Sequence, residues 1–168
     1  MNFAAINRMP LLKMAIRGRG RWTQAVHGEV LKYSLTRDFM ALKPALEESW
    51  FGEAIELDSH ADYEAIDRIR AQLGGIRAEP LKHLGEAESI RAIESRAEFA
   101  GAIFLTDDID AARVAENHRI TVKDTTWLMA DAYSMGDSAC PETYEVLVQM
   151  CDEGRSIRLP ASHRDVCP

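Results

Sequence analysis

One segment, residues 102 to 124, constrains the fold more than any other part of the chain. Its sequence, "AIFLTDDIDAARVAENHRITVKD", has an apolar run at 102–105, a helical pattern over 108–117 and a second strand pattern at 119–124. Two apolar strands joined through a helix usually pair in parallel with a right-handed crossover. The segment therefore predicts an α/β fold with a parallel sheet, in which ligands collect at the carboxyl ends of the strands.

Most of the remaining sequence has helical periodicity. The spacing of apolar residues predicts a helix interrupted at Pro10, and a helix over 60–73 that begins at Asp58 or Ser59. The other predicted helices cover 27–35, 85–99, 125–135 and 141–153, and short strands are predicted at 21–26 and 54–57.

Composition places the chain among ordinary globular proteins. It has 168 residues, of which 46% are hydrophobic and 28% charged, and no apolar run reaches the roughly 20 residues that span a bilayer. The three cysteines match no zinc-site spacing, and their odd number argues against a disulfide framework, so we expect a protein of the reducing cytoplasm without a membrane partner.

Charge is distributed unevenly along the chain. The net charge of −7 argues against broad nonspecific attraction to nucleic acid, but Lys and Arg outnumber Asp and Glu over residues 8 to 43. A basic face for a nucleic-acid substrate and a merely solvated helix surface are both compatible with this stretch.

Two adjacent acids, Asp107 and Asp108, follow the first predicted strand directly. One interpretation is structural, because Thr106 or Asp107 can cap the next helix and Asp108 can favour its dipole from the first turn. The other is chemical, because carboxylates at the carboxyl end of a strand can hold a divalent metal ion.

Residues 84–129, "LGEAESIRAIESRAEFAGAIFLTDDIDAARVAENHRITVKDTTWLM", resemble the C-terminal half of a PIN domain. The segments "NFAAINRMPLLKMAI" and "WTQAVHGEVLK" resemble the family's first helix and its second strand with the following helix. The resemblance is to the prokaryotic PIN-like ribonucleases, which include toxins of toxin–antitoxin pairs. It fades between residues 36 and 80 and after 136, and it implies a three-layer α/β/α domain with a central parallel sheet over 1–135. We expect residues 136–168 to form a C-terminal helical extension packed on the same domain.

The resemblance also implies a chemistry. Family members cleave RNA with water activated at Mg²⁺ or Mn²⁺, and they associate with antitoxins and often form homodimers. The residues carried over are Glu29, Glu88 and Asp107 as catalytic residues and metal ligands, Asp108 as a further ligand, Glu86 as a helper, and Thr106 and Arg113 for substrate binding.

The chain departs from the family pattern at its start. In the family, a strand precedes the segment that matches "NFAAI" and ends in the central metal-binding Asp, whereas here that segment follows Met1 directly. We expect this strand and its Asp to be missing, and Mg²⁺ binding to be weak or absent. Two interpretations stay open: a PIN-type ribonuclease whose first-strand Asp is supplied upstream, or a truncated, inactive PIN-like module that binds nucleic acid or protein.

Several candidate residues also have structural alternatives. Glu29 can be a solvated helix residue, and Glu86 and Glu88 can favour a helix dipole from its first turn. Arg113 can pair with Asp110 or Glu116 on the same helix. The tryptophans are expected to lie in the core or partly buried rather than to stack on bases; they are Trp22, Trp50 and Trp127.

Overall fold

The computed structural model describes residues 1–167 of the chain. The helices are α1 (Asn2–Ala5), α2 (Met9–Ile16), α3 (Gln24–Ser34), α4 (Lys43–Glu47), α5 (His60–Gln72), α6 (Leu84–Ser95), α7 (Ile109–Asn117), α8 (Thr125–Ser134) and α9 (Glu142–Asp152). The strands are β1 (Ile103–Leu105) and β2 (Thr121–Lys123). Short 3₁₀ segments cover Arg37–Leu42, Ala97–Phe99 and His163–Asp165.

The sheet is small and parallel. Strands β1 and β2 pair with each other, and α7 connects them, so the predicted strand–helix–strand unit is confirmed. The protein is a mixed α/β protein with 57% of its residues in helices, while a three-layer arrangement stays a prediction.

The two other predicted strands are reduced to one isolated parallel bridge between Thr23 and Ile55. The prediction of a strand over 21–26 is wrong because α3 already begins at Gln24. The Thr23 carbonyl accepts a hydrogen bond from the His27 amide at 2.9 Å, which makes Thr23 the N-cap of that helix.

Helix α7 follows β1 after a three-residue turn. Its N-cap is Asp108, whose carboxylate accepts a hydrogen bond from the Ala111 amide. Ala111, Val114 and Ala115 form its buried face, at the spacing expected for one side of a helix. The helix ends where Arg119 takes a left-handed backbone conformation, with φ of 61°.

The chain divides into two compact units. Unit 1 comprises Met1–Gly20, Val30–Phe51 and the chain from Lys123 onward, and unit 2 comprises Arg21–Glu29 and Gly52–Val122. The sequence predicts a domain over 1–135 and an extension over 136–168 packed on it. This division differs in kind from the two compact units, and it stays a prediction.

Unit 2 has its own core, built by α5, α6, α7 and the strands. Its most deeply buried large side chains include Ile69 from α5 and Ile90 from α6, and Phe104 is the buried residue of β1. This core holds α6 and the β1–α7 turn, which carry most of the candidate residues.

Unit 1 has a separate core of side chains from α1, α2, α8 and α9. Met129, Leu147 and Met150 lie at its centre and are completely buried. The expected positions of the tryptophans are confirmed: Trp22 of unit 2 is buried, and Trp50 and Trp127 of unit 1 are partly buried.

The expectation that the cysteines form no disulfide framework did not foresee the one bridge that the structure contains. Cys140 and Cys167 form a disulfide, with Cα atoms 6.2 Å apart and a sequence separation of 27, and Cys151 is a free thiol. An odd number of cysteines excludes complete pairing but not a single bridge. Which two cysteines meet depends on how the chain end packs on unit 1.

Within residues 1–167, the helices are all too short or too polar to cross a lipid bilayer.

Candidate functional site

Helix α3 crosses the first turn of α6 closely, and Gly85 permits this approach. A Cβ atom at position 85 would lie 3.1 Å from Val26 Cγ2 and 3.8 Å from Glu29 Oε1. Gly85 therefore suits the close approach of the neighbouring helix, since a side chain there would crowd Val26 and require a small shift.

Glu88 is bound to the start of α3. Its Oε2 atom accepts a hydrogen bond from the Ala25 backbone amide at 2.8 Å, and its side chain is half-buried. The first amides of a helix have no partner within the helix, so a carboxylate from elsewhere can satisfy one and also favour the helix dipole. Glu88 thus caps α3 from α6.

The residue that would ordinarily cap α3 does not do so. Thr23 is at the N-cap position and 2% exposed, and among the described residues its hydroxyl oxygen has no hydrogen-bond partner. Its neighbour Trp22 is fixed by an indole N–H that donates to the Gly52 carbonyl at 3.1 Å. The Glu88 carboxylate has taken one of the amides that a threonine cap would normally bind.

Glu29 and Glu88 lie at the same helix crossing. Ala25 and Glu29 are one turn apart on α3, and Gly85 and Glu88 are one turn apart on α6. Because Glu29 approaches Gly85 while Glu88 binds Ala25, the two carboxylates are on facing sides of these helices.

The other acidic candidates lie in the turn between β1 and α7. The Asp108 amide donates to the Thr106 hydroxyl at 3.2 Å, and the Ala111 amide donates to Asp108 Oδ1 at 2.8 Å. The acidic pair thus has the predicted structural role, but the predicted capping residue, Thr106 or Asp107, is wrong because Asp108 is the N-cap. Asp107 lies between Thr106 and Asp108, at the carboxyl end of β1, and it is half-buried.

The two remaining candidates have simpler surroundings. Arg113 Nη2 lies 2.8 Å from Asp110 Oδ1, with both side chains largely exposed, so the predicted structural alternative for Arg113 is confirmed. Glu86 is a half-buried acid in the first turn of α6.

A buried ion pair holds α6 in place. Arg91 of α6 donates from Nε to Asp62 Oδ1 of α5 at 2.8 Å, and Ser59 donates its hydroxyl hydrogen to Asp62 Oδ2 at 2.5 Å. The Ser59 hydrogen bond, followed by the bond to Arg91, lowers the pKa of Asp62 against the opposing effect of its burial. The position of Glu88, one turn from Arg91, therefore depends on this pair.

The donor atoms of the candidate set suit a hard divalent cation, which prefers carboxylate oxygens. Over residues 1–167, however, no three or more His, Cys, Asp and Glu side chains are grouped so that they could hold a metal ion. The site therefore consists of two parts: the Glu29–Glu88 crossing and the Thr106–Asp108 turn.

Asp124 is an acid that the sequence analysis did not select. It follows β2 directly, as Thr106 follows β1, and it caps α8 by accepting a hydrogen bond from the Trp127 amide at 2.7 Å. Its other carboxylate oxygen lies 3.1 Å from Arg158 Nη2. The sequence could have indicated Asp124 as a candidate, because it directly follows the second strand of the crossover unit, where ligands of parallel sheets collect.

Comparison with known proteins identifies no relative: no family model, curated protein or solved structure matches this chain.

Proposed function

We propose that this protein is a metal-dependent endoribonuclease of the PIN type that hydrolyses RNA phosphodiesters with metal-activated water. The proposal begins from the sequence resemblance over residues 84–129. RNA is its substrate, and an antitoxin protein and a second copy of the chain are its proposed partners, in keeping with a role as the toxin of a toxin–antitoxin pair.

The observation that best supports the proposal is the convergence of Glu29 and Glu88. They are separated by 59 positions in sequence (88 − 29), yet both lie where α3 crosses the first turn of α6. Two ionised carboxylates at one helix crossing repel each other. A divalent cation held by both would lower that repulsion.

In this proposal Glu29, Glu88 and Asp107 would hold Mg²⁺ or Mn²⁺, with Asp108 and Glu86 in support. Asp107 would have to move together with the Glu29–Glu88 pair, since the described residues do not group three such ligands. Such an ion would activate water and offset the negative charge that develops on the phosphodiester. Thr106 would hold the β1–α7 turn through its bond to the Asp108 amide, and Arg113 would have to leave Asp110 to reach a phosphate.

A second candidate function is a catalytically inactive module that binds nucleic acid or protein. One observation favours it: two of the proposed ligands already make structural hydrogen bonds, Glu88 to the Ala25 amide and Asp108 to the Ala111 amide. The presence of an acidic residue at these two positions can be explained by its role in capping a helix, without any role in catalysis.

RNA cleavage with millimolar Mn²⁺ tests the two candidates. Under the ribonuclease proposal the wild type cleaves single-stranded RNA, chelation of the metal stops cleavage, and Asp107→Asn slows it by about 100-fold or more, which is the scale of losing about 3 kcal/mol of transition-state stabilisation. Asp110→Asn is the matched control, since Asp110 is an exposed acid three residues away that pairs only with Arg113 among the described contacts.

Two results would count against the ribonuclease. Equal cleavage by the wild type and Asp107→Asn would remove Asp107 from the mechanism. Binding of the same RNA without cleavage at any Mn²⁺ concentration would favour the inactive module.

A further inference from the structure

Residues 155–167 form an extended segment on unit 1, which we call the tail. Apart from the single 3₁₀ turn His163–Asp165, this tail contains neither an α-helix nor a strand within the described residues. The Thr126 hydroxyl of α8 donates to the Arg158 carbonyl, and the Tyr144 hydroxyl of α9 donates to the Pro160 carbonyl at 3.3 Å. The tail therefore lies against both helices.

The end of the tail is inserted in the core of unit 1. Val166 is 1% exposed and Cys167 is 7% exposed. Cys167 forms the disulfide with Cys140, which lies between α8 and α9. The bridge thus ties the end of the tail to the loop that joins the two helices on which it lies.

Two further bonds of the tail are polar. Arg158 pairs with Asp124 at the start of α8, but its side chain is 76% exposed, and exposed ion pairs contribute little to stability. Arg155 Nε donates to Asn2 Oδ1 at 3.0 Å in a partly buried position, and Ile157 packs against the core of unit 1. The disulfide and the buried Val166 anchor the end of the tail.

We propose that the Cys140–Cys167 disulfide is a redox-responsive clasp, whose reduction by a dithiol releases residues 155–167 from α8 and α9. A disulfide that meets a reducing compartment is usually transient or redox-sensing rather than permanent. Release separates Arg158 from Asp124 and uncovers Thr126 at the start of α8. This inference is independent of the ribonuclease proposal.

The chemistry is ordinary thiol–disulfide exchange. A thiolate of the reductant attacks the sulfur of half-buried Cys140, and Cys167 leaves as a thiolate that takes up a proton. The second thiol of the reductant then displaces Cys140, so two electrons pass to the protein and the reductant becomes a cyclic disulfide. Cys151 is a free thiol and takes no part in the exchange.

Hydrogen exchange of the full-length protein, with and without dithiothreitol, tests the clasp. The amides of Val166 and Cys167 both donate to the His163 carbonyl, and they report on the tail. A 27-residue separation between the bridged cysteines implies that reduction can speed the exchange of these two amides by up to about 400-fold. The amides of α5 and α6 in unit 2 should keep their protection.

Substitutions provide matched controls. Cys140→Ser and Cys167→Ser should exchange rapidly at the tail with or without dithiothreitol, whereas Cys151→Ser should respond like the wild type. Thiol counting by intact mass establishes the redox state in each sample.

Three results would overturn the proposal. The first is equal tail protection in fully reduced and fully oxidised wild type. The second is loss of protection throughout unit 2 on reduction, which would show that the disulfide stabilises the whole protein and not only the tail. The third is three free thiols after incubation with oxidised glutathione.

Discussion

At the scale of single residues, the start of α3 shows how one polar group can displace another. Thr23 is in the N-cap position, yet Glu88 binds the Ala25 amide and the buried Thr23 hydroxyl lacks a hydrogen bond within the described part of the chain. A buried hydroxyl without a partner reduces stability. The arrangement indicates that the Glu88 carboxylate, which carries charge, is the stronger cap.

Thr23→Val should therefore raise the free energy of unfolding, by up to about 1 kcal/mol, because it removes the unpaired hydroxyl and keeps the branched shape. Glu88→Ala should lower it by about 1 kcal/mol through loss of the cap. The cost of Glu88→Ala should be larger in the Thr23→Val background, since the threonine hydroxyl can no longer take over the amide. Urea denaturation of the four proteins measures this coupling, and strict additivity would contradict it.

The cap of α7 allows a second test at this scale. Asp108→Ala should lower the free energy of unfolding by about 1 kcal/mol because the Ala111 amide loses its acceptor, whereas Asp108→Asn keeps an acceptor oxygen and should cost less. Asp110→Ala, two residues further along the same helix, is the control. Equal losses for Asp108→Ala and Asp108→Asn would show that the charge, rather than the hydrogen bond, matters here.

At the scale of elements, the position of α6 depends on its contact with α5. The Asp62 carboxylate is buried and bonded to Ser59 and Arg91, so the two helices are joined by a hydrogen-bonded ion pair as well as by Ile69 and Ile90 in the core. Loss of the pair would move the helix that carries both Glu86 and Glu88.

Asp62→Asn should lower the free energy of unfolding by about 1–3 kcal/mol at neutral pH, because it leaves Arg91 without its charged partner. The pKa of Asp62 is lowered in the folded protein, first by the Ser59 hydrogen bond and then by Arg91. A lowered pKa means that the ionised carboxylate stabilises the fold above the unfolded value of about 3.9, and that this contribution is lost as pH falls through the folded value. The difference between wild type and variant should therefore shrink below about pH 4.

Denaturation curves recorded from neutral to acidic pH measure this effect. Asp67→Asn is the control, because Asp67 pairs with Arg70 on the same helix but its side chain is 77% exposed. A difference between wild type and Asp62→Asn that stays constant down to pH 2 would contradict the assignment.

At the scale of the whole molecule, metal binding requires segments that are far apart in sequence to act together. The proposed ligands Glu29, Glu88 and Asp107 come from α3, α6 and the turn after β1. We expect Mg²⁺ to raise the melting temperature by less than about 1 °C, because ligand stabilisation is small unless the free ion greatly exceeds its dissociation constant. The bond of Glu88 to the Ala25 amide competes with the ion for one of the carboxylate oxygens.

Calorimetric titration with Mg²⁺ and Mn²⁺ provides the measurement, with Asp107→Asn as the comparison. A saturable, stoichiometric site that Asp107→Asn abolishes would contradict weak binding and would strengthen the ribonuclease proposal.

Local patterns were sufficient to predict several features of the molecule. The helix α5 with its Ser59 cap and the β1–α7–β2 unit are confirmed, because apolar periodicity and capping residues act within a few positions of the chain. The cap of α7 is predicted at Thr106 or Asp107 and lies instead at Asp108. The predicted pairing of Arg113 with Asp110 has the same local origin.

The amino-acid sequence by itself therefore determined where most helices and the two strands form, since those depend on neighbours in the chain. Only the tertiary structure decided three other features: the single Thr23–Ile55 bridge, the capping of α3 by Glu88 and the Cys140–Cys167 disulfide. Each joins residues that are at least 27 positions apart, and such partners are chosen by packing of distant segments rather than by local spacing.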